Sequence, residues 1–180
     1  MNIDKTWTLF LDRDGVINTE LRNEYVKNWS EFNFEPGALK ALENLSTLFG
    51  TIVIVTNQRG VGAGIMTEDD LLRIHDEMLK EINQHGGRID QIYFATHIDR
   101  EHESRKPFPA MGHLAKKEFP HIEFSKSVMV GNSLSDMEFG RNLGMVNVYI
   151  DEKKKYNGVK TEMMDYIFSD LAEFSNTFKQ

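Results

Sequence analysis

Two aspartates one residue apart close the apolar stretch LFLDRDGVIN at residues 9–18. Asp12 and Asp14 flank Arg13, and Gly15 follows at once. Two carboxylates crowded at the end of a strand repel one another unless a cation lies between them. Mg²⁺ suits the place, being a hard ion that takes oxygen ligands and usually bridges to a substrate phosphate. A carboxylate can also act as a nucleophile and accept a phosphoryl group. The second carboxylate is then placed to protonate the leaving oxygen. An isolated D-x-D-G is more commonly a solvated turn, but the buried-looking strand that delivers this one argues against that reading.

Three further stretches carry groups of matching chemistry. VTNQRG (55–60) offers the hydroxyl of Thr56 and the amide of Asn57. Gly60, Gly62 and Gly64 beyond it would let backbone N–H groups approach an anion. Small polar residues after a strand are otherwise ordinary turn formers. SRKPFP (104–109) sets Arg105 and Lys106 before a proline-stiffened turn, a basic pair that on its own would be surface. VGNSLSD (130–136) ends in Asn132 and, four residues later, Asp136, which alone reads as an acid in the first turn of a helix.

The elements that must position these groups alternate. WTLFLD (7–12), the β-branched TIVIVT (51–56), IDQIYFATH (89–97), KSVMVG (126–131) and VNVYI (146–150) read as strands. Residues 36–50 read as a helix with Pro36 near its start and Gly50 at its stop. Residues 67–87 read as a long amphipathic helix with Thr67 as N-cap and acids in its first turn. SLSDMEFGRNLG (133–144) is helical, and DYIFSDLAEF near the end reads as a short strand and closing helix. Strands apolar on both faces and alternating with helices predict a parallel sheet covered on each side. Ligands bind beyond the carboxyl ends of such strands, where Asp12, Thr56 and Asn132 all fall.

Composition narrows the partners. The 180 residues suit one domain over 1–180. A net charge of −7, from 28 acids and 21 bases, opposes a broad grip on nucleic acid. Without cysteine there are no disulfides, thiolate nucleophiles or cysteine zinc sites, and a reducing compartment is the simplest reading. The first residues carry no basic segment followed by a long apolar one, and nothing approaches the ~20 apolar residues of a membrane span. A cytoplasmic monomer without a membrane partner is expected.

Taken in chain order, D12-R-D14-G, T56-N, K106-P and G131-N-x-x-x-D136 resemble the four motifs of the haloacid dehalogenase (HAD) superfamily of phosphatases. The wording FLDRDGVIN, F-x-F-x-PG, VTNQ-x-G and RKP is similar to one branch, subfamily IIIA, which holds histidinol-phosphate phosphatase and heptose-bisphosphate phosphatase. The resemblance covers about residues 7 to 150. It implies a three-layer, Rossmann-like α/β fold with a central parallel sheet. It implies that Asp12 attacks phosphorus and that Asp14 is acid to the leaving group and then base to water. Thr56 and Lys106 would hold the phosphoryl oxygens, and Asn57, Arg59 and Arg105 would orient the substrate. Mg²⁺ would be held by Asp12, the backbone of Asp14, and Asn132 or Asp136.

Three departures from the branch stand out. Asn132 occupies a position that is usually aspartate. Ala95, His97, His102 and Ser104 replace the Cys-x-His and Cys-x-Cys pairs of a structural zinc loop, so zinc is not expected. Ala63 stands where arginine is frequent, and Arg59 where serine is. No insertion is long enough for a separate cap domain, so the site is expected to be open, roofed by loops near 19–35, 57–66 and 98–109. The expected activity is a Mg²⁺-dependent phosphomonoesterase acting on a small phosphorylated metabolite, a heptose bisphosphate ahead of histidinol phosphate. The alternatives are a catalytically weak HAD domain serving as a binding or regulatory module, and a polynucleotide 3′-phosphatase.

Overall fold

A computed structural model of the chain describes residues 2–21, 24–151 and 160–178. Its six strands are β1 (Thr8–Leu11), β2 (Thr51–Asn57), β3 (Gln91–Ala95), β4 (Ser127–Gly131), β5 (Val146–Ile150) and β6 (Tyr166–Phe168). They form one sheet in the order β3-β2-β1-β4-β5-β6, and every neighbouring pair is parallel. The helices are α1 (Ala38–Leu48), α2 (Arg59–Gly62), α3 (Glu68–Gln84), α4 (Ala110–Glu118), α5 (Leu134–Leu143) and α6 (Leu171–Asn176).

Alternation within the strands builds two cores. Leu9 and Leu11 of β1, Ile52 and Ile54 of β2 and Val128 and Val130 of β4 face one way, against Leu42 and Leu45 of α1, Ile74 and Met78 of α3 and Phe174 of α6. Phe10, Val53, Val55 and Met129 face the other way, against Met111 and Ala115 of α4 and Phe139 of α5. Successive side chains of a strand point to opposite faces, so strands this apolar need cover on both. The result is the three-layer α/β arrangement expected from the sequence. Helices α2 and α4 were not read from the sequence, α2 lying within the stretch 57–66 expected as a loop.

Helix boundaries follow local chemistry. Thr67 caps α3 in a reciprocal box with Asp70, and Ser133 caps α5 in the same way with Asp136. No helix among the described residues is long and apolar enough to cross a membrane. The register places Leu11 beside Ile54 on one side and Val130 on the other. From that row β4 runs one residue further, to Gly131, and β2 three, to Asn57, and the loops after all three strands open on the same edge of the sheet.

Candidate active site

The chain leaves β1 still tied to the sheet, because the Asp12 N–H donates to the Val130 carbonyl at 2.9 Å. It then turns at Gly15, which has φ +78°, and folds back so that Glu35 N–H donates to the Ile17 carbonyl. A side chain at Gly15 would collide with the Asn132 amide, 1.9 Å from an added Cβ. Glycine is thus required both by the turn and by the approach of the β4 loop.

The groups at these strand ends meet around a cavity of about 180 Å³, lined among others by Asp12, Asp14, Thr56, Asn57, Lys106 and Asn132. Asp12 Oδ1 accepts from the Arg13 N–H at 2.8 Å and pairs with Lys106 Nζ at 2.9 Å. Lys106, whose side chain is 1% exposed, also lies 2.5 Å from Asp136 Oδ1, as a close charge pair rather than a well-directed hydrogen bond. Burial works against its ammonium, but Asp12 and Asp136 outweigh burial and raise its pKa. The lysine is a fixed cation.

Asp14 is held from three sides. Arg13 Nη2 donates to both of its oxygens at 2.8 and 3.0 Å, Asn18 Nδ2 to Oδ1 at 2.9 Å and Gln58 Nε2 to Oδ2 at 2.9 Å. Burial pushes this carboxyl up, but the guanidinium and the three donors hold it below the usual carboxylate range. Arg13 is itself 1% exposed, and its Nη1 lies 3.3 Å from Nε2 of buried His75 on α3. Gln58 also donates to Thr56 Oγ1 at 3.1 Å, linking the β2 loop to the Asp14 network.

Several sequence expectations are redirected by this geometry. Asn57, expected to orient substrate, spends both ends of its amide on Lys106, accepting its N–H at 3.0 Å and donating to its carbonyl at 3.1 Å. Asp136, expected among the metal ligands, is fully buried. One of its oxygens faces Lys106, and the other accepts from the N–H and hydroxyl of Ser133. Its side chain sits so close to β4 that a Cβ at Gly131 would meet the Asp136 Cβ at 2.3 Å and the carboxylate carbon at 2.4 Å. Arg59 and Arg105 do not line the cavity. Arg105 is buried, donates to the His97 carbonyl, and has its pKa lowered by burial and by the nearby Arg59 and Arg100. Arg13, Asn18, Gln58 and His75, which the sequence reading did not single out, complete the hydrogen-bond network around Asp14.

The donor set fits Mg²⁺. Among the described residues four carboxylates line the cavity (Asp12, Asp14, Glu20 and Glu24) against two cations, Arg13 and Lys106. Burial and the charges of Asp136 and Asp14 push the Asp12 carboxyl up to about 7, against the pull of Lys106. A divalent cation beside Asp12 would relieve that excess of negative charge, and hard oxygen donors are what Mg²⁺ takes.

Residues 8–175 match the family model described as polynucleotide kinase 3 phosphatase. The chain is 41% identical over 138 residues to a D-glycero-alpha-D-manno-heptose-1,7-bisphosphate 7-phosphatase of Mycobacterium bovis, covering 76% of this chain and 73% of that one. It is 35% identical over 178 residues to the protein of that name from Campylobacter jejuni, covering 98% of both. Among solved structures, the D,D-heptose 1,7-bisphosphate phosphatase of B. bronchiseptica, complexed with magnesium and phosphate, superimposes with a TM-score of 0.84 at 28% identity, over 95% of this chain and 97% of that one.

Proposed function

We propose, for a chain that belongs to the polynucleotide kinase 3 phosphatase family within the HAD-like phosphatases, that its single domain over 1–180 is a Mg²⁺-dependent phosphomonoesterase. The substrate this reading favours is a heptose 1,7-bisphosphate, hydrolysed at the 7-phosphate, as the names of its relatives have it. The observation that carries the reading is the state of Asp12. One oxygen is fixed by Lys106 Nζ and the Arg13 N–H, so the other is left to the cavity as a nucleophile.

In the first step the free oxygen of Asp12 attacks phosphorus in line and the ester oxygen leaves with a proton from Asp14, which is a carboxylate in the free site and takes up that proton from the substrate's phosphate monoanion as it binds. The product is an aspartyl phosphate. In the second step Asp14, now a carboxylate, takes a proton from water as it attacks the phosphoryl group and Asp12 is released. Its ion pair with Arg13 favours the carboxylate form that this second step needs. Lys106 and Thr56 face the phosphoryl oxygens, where fixed donors stabilise charge as it spreads. Asn57 holds the Lys106 backbone in register for that task. Mg²⁺ would be held by Asp12, the Asp14 carbonyl and Asn132, and would supply charge neutralisation between phosphate and Asp12.

Zinc has no part in this reading. The rings of His97 and His102 stack face to face, 3.4 Å between centroids and 12° between planes, which sets their in-plane lone pairs side by side rather than convergent. Nδ1 of His102 lies 2.8 Å from the Ser104 hydroxyl. The small cavity and the charge of −7 favour a small metabolite over a polynucleotide, and a cytoplasmic protein acting without a membrane or nucleic-acid partner is part of the proposal. A phosphate-release screen with Mg²⁺ tests it, across α and β heptose 1,7-bisphosphates, histidinol phosphate and a 3′-phosphorylated oligonucleotide. A kcat/KM for a heptose bisphosphate well above the other two supports the assignment, and preference for the oligonucleotide or for histidinol phosphate overturns it.

A further inference from the structure

By the family resemblance the position of Asn132 is usually an aspartate, and an amide there brings no charge of its own to a cation in this site. The structure offers a compensating group. Asn132 Nδ2 donates to Glu20 Oε2 at 3.2 Å, across 112 residues of sequence. A carboxylate can only accept, so the end of the amide that faces Glu20 has to be its NH₂, which fixes the amide's orientation. The remaining end is the oxygen, and Asn132 lines the cavity together with Asp12, Asp14 and Glu20 itself.

The contact is built into the fold. Gly15 leaves room for the Asn132 amide, and the chain between Asp14 and Glu20 is pinned by hydrogen bonds from the Gly15 N–H to the Asn18 carbonyl and from the Thr19 N–H to the Asn33 carbonyl. Glu20 is therefore carried to the rim of the cavity by ordered backbone.

We infer that Glu20 is a positioning residue for the metal: it holds the Asn132 amide with its oxygen toward the cation and returns, through that amide, the negative charge that asparagine lacks. Hydrogen bonding of an amide NH₂ to a carboxylate polarises the amide and makes its oxygen a stronger donor. The inference rests on the metal-dependent reading above, and it concerns a group outside the four sequence motifs.

The test is a double-mutant cycle read by calorimetric titration of the purified, metal-stripped protein with Mg²⁺, and by the Mn²⁺ paramagnetic resonance signal. Glu20→Gln is expected to weaken binding by about ten-fold or more, the usual effect of removing a partner of a metal ligand. In an Asn132→Asp background the ligand carries its own charge and has no NH₂ for Glu20 to accept. There Glu20→Gln should leave affinity unchanged or tighten it, because a repulsion is removed. Equal losses in both backgrounds would make Glu20 a direct ligand or a remote charge, and no loss in the first would leave it without a role. Either result overturns the inference. Both binding readouts are independent of turnover, so a protein that shows the coupling yet hydrolyses no phosphate ester would sink the phosphatase reading alone.

Discussion

Asn57 grips the backbone of Lys106 from both sides, its carbonyl oxygen 3.0 Å from the lysine N–H and its NH₂ 3.1 Å from the lysine carbonyl. The pair joins the end of β2 to the loop that carries the only lysine lining the cavity among the described residues. Asn57→Ala should therefore act through Lys106. We expect kcat to fall on the order of 10²-fold, the scale of an ångström-level misplacement, with a smaller change in KM. Stability should fall by about 1–3 kcal/mol for the unsatisfied backbone groups. Steady-state kinetics and denaturant unfolding check both, and an unchanged kcat would remove Asn57 from the positioning role.

Asp14 should reveal itself through the leaving group. Asp14→Asn deprives the first step of its acid, and such help is typically worth ~10²–10⁴-fold. Sugar phosphates, whose alkoxides leave poorly, should lose rate on that scale in their first step. Aryl phosphates with acidic phenols should keep most of theirs. Single-turnover rates of ester cleavage separate the two classes, and equal losses would argue against the acid role.

Lys106 sits between two carboxylates, so its removal leaves both buried charges facing one another. Lys106→Met should cost about 3–5 kcal/mol, the scale for stranding one side of a buried ion pair. Adding Asp136→Asn removes half of the stranded charge. The double variant should then be less destabilised than the sum of the singles, by a coupling of roughly 0.5–3 kcal/mol. Urea unfolding of the four proteins gives the answer, and additivity would mean that the pair contributes no coupling.

The chemistry was readable because it is anchored to strand ends. Asp12, Thr56 and Asn132 converge at one edge of a parallel sheet, as apolar runs ending in polar residues predict, and the loop between β3 and α4 brings Lys106 to them. Asp136 shows the limit of a motif. Its bland reading as a first-turn acid is correct, since it caps α5, yet the same carboxylate also neutralises Lys106. What sequence could not show is contact between distant segments. His75 meets Arg13 across 62 residues, Gln58 meets Asp14 across 44, and no local pattern encodes either. Helix α4 escaped for a different reason. Its buried face is Met111, Gly112 and Ala115, a weak hydrophobic stripe, with the Leu143 side chain packed 2.4 Å from where a Cβ at Gly112 would sit.

His75 couples the site to acid stability. Burial, then the Arg13 guanidinium, depress its imidazole to about 3, with Asp14 pulling the other way. An unfolded chain has histidine near 6.5. Above that pH both states are neutral and the residue contributes no pH dependence. As pH falls from about 6.5 toward 3 only the unfolded state takes up the proton, so folding stability is lost, with a slope of at most about 1.4 kcal/mol per pH unit. His75→Gln should flatten the decline between pH 6 and 4 by close to one proton. Unfolding free energies measured at pH 7, 6, 5 and 4 test this, and an unaltered slope would contradict it.

The central claim is that Asp12 carries the phosphoryl group between the two steps. The most direct measurement uses the Asp14→Asn variant, which lacks the base for the second step, with an aryl phosphate that needs no acid in the first. Rapid acid quench followed by peptide mass spectrometry should find a phosphoryl group on the peptide containing Asp12, formed in a burst with release of one phenol per enzyme. Asp12→Asn should show neither the burst nor the modified peptide while still unfolding in one cooperative transition. Phenol release by Asp12→Asn at a rate comparable to wild type, or a burst without phosphate on Asp12, would contradict the account.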